Sequence, residues 1–229
     1  MFKKIFKWTI SIIAGAILLS VLWVVMLKFL PPPFGMAMFF RTFEYAFKGE
    51  LVGMEKQWKG YDEISPNFFR AVIAAEDARF FTHSGFDWKA IDRAKRYNEI
   101  HKGRKKQGAS TISMQTAKNT FLCHSRNYVR KGLEAYFTVL IEAIWGKKRI
   151  LVMYANVVEF GKGVYGVEAA SQKYFGRSAK DISKSQAALL AAVLPNPRLW
   201  NPAKPTKYNL NRQKWIQGRM GSISLRKIE

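Results

Sequence analysis

The chain has 229 residues, one cysteine (Cys123), and 38 Lys and Arg against 16 Asp and Glu, a formal net charge of +22. A lone cysteine excludes an internal disulfide, and no Cys/His cluster has metal-ligand spacing, so the fold must rest on apolar packing. A field of this size gathers anions at the surface, so an anionic partner is expected.

Residues 1–7 carry Lys3, Lys4 and Lys7. From Trp8 to Leu27 there is no charged side chain, matching the roughly 20 apolar residues that cross a hydrocarbon core, and a transmembrane helix is predicted over 8–30. A cleavable signal would have a shorter apolar run, about 7–15 residues, with a small-residue cleavage site behind it. Lysines beside a first span stay cytoplasmic, which places the body outside. Nucleic acid is then excluded as the anionic partner, and anionic membrane lipids and phosphate-bearing lipids take its place.

Pro31-Pro32-Pro33 cannot continue a helix and opens a linker and membrane-proximal segment over 31–60. Its Phe- and Met-rich stretch, Phe34 to Phe47, fits a membrane-lying element and ordinary packing equally well. The main domain is predicted over 61–205. Ser65-Pro66 is a helix start, with the helix running through NFFRAVIAAEDARF. Further helices are predicted at Lys89–Glu99, Ser113–Phe121, Arg130–Gly146, Lys148–Val158, Gly163–Phe175 and Ser183–Leu194, the last opened by a Ser183/Gln186 capping box. Pro195, Pro197, Pro202 and Pro205 then forbid regular structure, and a basic tail follows over 206–229. Alternating patterns are scarce, so the fold class is mainly α with no sheet expected.

Four segments carry candidate chemistry. In Glu76–Gly85, two adjacent carboxylates, Glu76 and Asp77, end an apolar helix near His83; the helix dipole and the like charge both favour a raised carboxyl pKa, as a general base needs. Taken alone, such a pair is commonly a solvated helix end. In Gly103–Asn119, Ser110-Thr111 caps a helix bearing Gln115 and Lys118, whose first amides, with Lys105 and Lys106 nearby, suit a diphosphate. Arg130 and Lys131 lie within one turn of Glu134, in the order that stabilises a helix least. Tyr154 and Asn156 sit two apart before a glycine-rich break and cannot share a helix face; either fits the core equally well.

In this order the segments resemble glycosyltransferase family 51, the peptidoglycan polymerases, and in particular its monofunctional members. The resemblance spans roughly residues 60 to 205 and rests on E-D-x-x-F-x-x-H-x-G (Glu76, Asp77, Phe80, His83, Gly85), G-x-S-T-I (Gly108, Ser110, Thr111, Ile112), R-K-x-x-E (Arg130, Lys131, Glu134), I-L-x-x-Y-x-N (Ile150, Leu151, Tyr154, Asn156), and Ala169, Ala170, Tyr174 and Phe175 with Gly176. Where the family carries a Gln pair, this chain has Met114-Gln115.

The resemblance implies a lysozyme-like helical lobe with a small membrane-associated jaw, and no room for a transpeptidase domain. It implies polymerisation of lipid II into β-1,4 glycan strands with inversion and release of undecaprenyl diphosphate, at the outer side of the bacterial cytoplasmic membrane. Catalysis falls to Glu76 as base and to Glu134, which orients Lys131 and Arg130 against the diphosphate. The implied binding set is Lys118, Arg130, Lys131, Gln115, Ser110, Thr111, Asp77, His83, Tyr154 and Asn156. No cofactor is required, and Mg or Mn is a candidate at the diphosphate. Lipid II, the nascent strand, anionic lipids and other cell-wall synthesis or division proteins are the expected partners. A lytic enzyme with a comparable catalytic Glu is the nearest rival, but it has less use for so many cations.

Overall fold

The computed structural model describes residues 1–102, 107–125 and 127–226. Lys105 and Lys106 lie outside the described residues. The chain is helical from its first turn, with α1 over Phe2–Phe29, α2 over Met36–Phe47 and α3 over Pro66–Glu76. These are followed by α4 (Trp88–Ile100), α5 (Ile112–Phe121), α6 (Tyr128–Ile144) and α7 (Gly146–Val157). The remaining helices are α8 (Val167–Phe175), α9 (Lys184–Val193) and α10 (Lys207–Met220).

Local signals set several of these starts. Ser65 accepts the Asn67 amide with Pro66 at the first helical position, and Ser183 and Gln186 cap α9 reciprocally. The helix from Ser65 stops at Glu76, four residues before the predicted end, because the backbone at Asp77 leaves helical geometry.

Two expectations are corrected. A small sheet exists, with β3 (Val164–Tyr165) between β1 (Glu55–Lys56), parallel to it, and β2 (Glu159–Gly161), antiparallel. The segment after Pro205 is not a bare tail: Thr206 and Asn209 form a capping box for α10, which packs on α9 and α3 and buries Ile216 and Met220. A boundary at 205 would cut a helix from its core.

The core lies where α3 meets α9. Phe68, Phe69, Val72 and Ile73 from α3 are fully buried, and α9 offers Ala187, Ala188, Ala191 and Ala192, side chains small enough for close approach. Each fully buried Phe, Val or Ile contributes about 1.5–3 kcal/mol.

Helix α1 is apolar and long enough to cross a membrane, and its last turns are docked on the body. Val24 and Leu27 are buried, Trp23 meets Phe121 and Phe137 edge-on, and the Ser20 and Tyr136 hydroxyls are 2.7 Å apart. Trp145 Nε1 donates to the Val24 carbonyl at 2.8 Å. Arg149 donates to the Leu27 and Leu30 carbonyls at 2.6 and 2.8 Å, placing a cation where a helix end lacks donors.

The Phe34–Phe47 stretch packs through one face of α2 and leaves the other exposed. On α2, Ala37, Met38, Arg41 and Tyr45 face inward, while Phe39, Phe40, Phe43 and Phe47 form an exposed stripe. Lys56 holds the proline linker, donating to the Pro32 and Pro33 carbonyls, and burial pulls its pKa down to about 8.

Candidate active site

Glu76 and Asp77 are neighbours in sequence with opposite surroundings. Glu76, the last residue of α3, projects into a cavity of about 860 Å³, with one oxygen accepting from Gln115 Nε2 at 3.0 Å and the other from Arg212 at 3.3 Å. Both partners are donors.

Asp77 instead turns inward. It lies 2.9 Å from His83 Nε2 and accepts the Ile112 amide at 3.0 Å. Thr111 caps α5 by accepting the Met114 amide, and its hydroxyl donates to the Gly85 carbonyl at 2.6 Å. Gly85 is needed there: its φ is +90°, and a Cβ would sit 2.7 Å from a Thr138 methyl. The resemblance put Thr111, Asp77 and His83 in the binding set, and the sequence offered α5's first amides to a diphosphate. They are committed to one another, and the group acts as the strut that fixes α5 against α3. Ser110 is exposed and lines the Glu76 cavity.

Helix α5 carries Gln115 between two cavities: the one holding Glu76, and a second of about 900 Å³ lined by Lys118 and Arg130. Met114, which stands where the family has its other Gln, is buried. Burial holds Lys118 below the usual lysine range, partly opposed by Glu134. On α6, Asn127 caps the helix by accepting the Arg130 amide at 2.7 Å. Glu134, 3% exposed, takes Arg130 on one oxygen and Lys131 on the other. Lys131 lines neither cavity and pairs with Glu134, whereas Arg130 reaches the cavity wall.

Tyr154 and Asn156, put in the binding set by the resemblance and left equally open as core by the residues themselves, are both fully buried. Tyr154 is core, and burial pushes its phenol well above the ordinary value. Asn156 pins a loop, accepting the Lys59 amide at 2.8 Å and donating to the Lys59 and Val152 carbonyls.

The sequence reading missed Arg212, and also Arg41, His124, Glu159 and Arg198 in the second cavity. A Thr206/Asn209 capping pattern was available to reveal α10 and hence Arg212; the others are joined only by the fold. Burial, with Arg41, Lys118 and Arg198 nearby, drives His124 down to about 3, and burial raises Glu159. Among the described residues no group of three or more His, Cys, Asp or Glu is placed to hold a metal ion. Glu134 has one oxygen on Arg130 and the other on Lys131.

A glutamate held by an amide, beside a walled cluster of cations, is joined by an independent finding: the transglycosylase family model matches residues 46–221. The chain belongs to the transglycosylase family. It is similar to the biosynthetic peptidoglycan transglycosylase of Bdellovibrio bacteriovorus, 50% identical over 93% of this chain and 85% of the relative. It is also similar to those of Shewanella oneidensis, 45% identical over 99% of this chain and 97% of the relative, and Caulobacter vibrioides, 48% identical over 93% and 87%. The transglycosylase match begins at the end of α2 and ends just past α10, so Glu76, Gln115, Lys118, Arg130 and Arg212 fall inside it, while Phe40, Arg41 and Glu44 on α2 lie before its start.

Proposed function

We propose that this transglycosylase is a peptidoglycan glycosyltransferase that polymerises lipid II into linear β-1,4 glycan strands, anchored by α1 with its body on the outer face of the bacterial cytoplasmic membrane. The observation that carries the reading is Gln115, which donates to Glu76 in one cavity while lining the cationic second one.

In this scheme the acceptor's 4-hydroxyl lies against Glu76, which accepts its proton as the oxygen attacks the anomeric carbon of the lipid-linked sugar from the face opposite the diphosphate. Inversion follows from that geometry. Gln115 and Arg212 hold the carboxylate in place. Inverting hydrolases need an acid to protonate the departing oxygen, but a diphosphate leaves as an anion and calls for preorganised positive charge. Lys118 and Arg130 supply it, and Glu134 with Lys131 fixes the Arg130 fork. No step passes through a metal ion; polymerisation measured with and without EDTA, then with added Mg or Mn, tests that. The strand and lipid II are the partners this chemistry requires, with anionic lipids at the anchor; cell-wall synthesis or division proteins are left to pull-down experiments.

The full chain in detergent, given lipid II, is expected to yield polymeric glycan and release undecaprenyl diphosphate. Given polymeric glycan alone it is expected to leave it intact. Cleavage of the polymer without lipid II turnover would instead favour the lytic reading.

A further inference from the structure

Helix α10 presents two stripes. Asn209, Gln213, Ile216 and Met220 are buried, with the spacing of an ordinary packed helix face. One residue earlier at each step stand Tyr208, Arg212, Trp215 and Arg219, the same spacing turned about 100° round the helix. Tyr208, Arg212 and Trp215 all line the cavity that holds Glu76. Packing accounts for the first stripe and leaves the second without a structural task.

In the middle of the second stripe, Arg212 donates to Glu76. A turn to either side, Tyr208 and Trp215 keep 58% and 45% of their surface exposed. Neighbours nonetheless hold both rings: the Trp200 ring lies 5.2 Å from that of Tyr208, and the Arg219 guanidinium sits 3.8 Å over the ring of Trp215. Large rings that are held yet uncovered lose little freedom on meeting a ligand, which is how aromatic anchors favour binding.

The rest of the lining narrows what that ligand is. Arg79, Asp87, Gln107 and Ser110 share the cavity wall, so a lipid chain would meet polar groups on most sides. The cation between the two rings is paired with Glu76, so the stripe is no phosphate cradle. A sugar satisfies both conditions: the C–H groups on its face pack on an aromatic ring, and the hydroxyls round its edge reach polar side chains. Tyr208 and Trp215 start about 10 Å apart along the helix axis, nearer the length of a disaccharide than of a single ring.

Resting on the reaction proposed above, we propose that Tyr208 and Trp215 form a two-ring stacking platform for the acceptor's β-1,4-linked sugars, with Arg212 between them aligning Glu76 to the attacking hydroxyl. Helix α10 thus selects the acceptor by its glycan, independently of the cationic cavity.

The test titrates the full chain in detergent micelles, by calorimetry, with a β-1,4-linked N-acetylglucosamine tetrasaccharide and, separately, with inorganic pyrophosphate. Wild-type protein is expected to take up both. Trp215→Ala is expected to weaken the tetrasaccharide about tenfold, the size of one lost aromatic contact, and to leave pyrophosphate within about twofold. Trp215→Phe, which keeps a ring, is expected to stay within about threefold of wild type for the tetrasaccharide, with Tyr208→Ala between the two Trp215 variants. Unchanged tetrasaccharide affinity in Trp215→Ala, or equal weakening of both probes, overturns the platform. Wild-type protein that polymerises lipid II but takes up no tetrasaccharide also overturns it, and leaves the reaction standing. Tetrasaccharide binding that depends on Trp215, in a protein that polymerises no lipid II, keeps the sugar platform and overturns the reaction instead.

Discussion

The two cavities that meet at Gln115 are nearly equal in volume, about 860 and 900 Å³, and opposite in what they offer. One ends on a carboxylate held by donors, the other on cations clustered around a few buried groups. In the proposed reaction, proton acceptance and neutralisation of the leaving group are thus kept apart by a single amide side chain. Had Glu76 shared space with Lys118 and Arg130, ion pairing would have spent the charges meant for substrate. Glu134 illustrates that fate: Arg130 and Lys131 each take one of its oxygens, and in the proposed reaction it is a positioning carboxylate.

The division of labour can be broken most severely at the base. Glu76→Gln is expected to lower kcat for lipid II polymerisation by about 10²–10⁴-fold while leaving diphosphate binding intact. Near-native turnover would remove the distinction between the cavities. Next in size, Arg130→Ala is expected to cost about 1.5–3 kcal/mol of transition-state stabilisation, read from kcat/KM, through the cationic cavity alone. Comparable in energy but different in kind, Asp77→Ala should lower unfolding stability by about 1–3 kcal/mol, because it strands a buried amide and imidazole. Chemical denaturation in detergent would measure it, and an activity loss without a stability loss would return Asp77 to the substrate set.

Smaller effects sharpen the comparison. Arg212→Ala removes one of two donors to Glu76 and is expected to lower kcat about tenfold with KM little changed. The mildest concerns pH. Burial lowers Lys118, so its charge is lost on the alkaline side earlier than that of an ordinary lysine. Lys118→Arg, which stays charged, is expected to move the alkaline limb of kcat/KM to higher pH while lowering the plateau. An alkaline limb that does not move would show that Lys118 is not the titrating cation.

Much of this was legible in the sequence because caps and spans are local. Ser65-Pro66 and the Ser183/Gln186 pair each act within a few residues and stand where predicted, and the uncharged run from Trp8 lies in a helix that starts earlier, at Phe2. The ordered motifs likewise led to Glu76, Gln115, Lys118 and Arg130. What escaped depends on distance along the chain. Arg212 meets Glu76 across 136 residues, and nothing within a helix-length window announces that. Tyr154 and Asn156 sit in a matching motif, but burial is a property of the assembled core, and one-dimensional spacing does not distinguish a residue held for its packing from one held for its contacts. The strands of the small sheet are two or three residues long, below the length at which alternation becomes readable.

The docking of α1 on the body changes how a substrate would be met. In the proposed membrane-anchored enzyme, Trp145 and Arg149, fastened to carbonyls of the last turns of α1, make the anchor less a leash than a bracket, holding the mouth of the cationic cavity at one height and one heading relative to the bilayer. A lipid-linked sugar confined to two dimensions then has only to drift sideways into register, and the encounter becomes a planar search instead of a volumetric one.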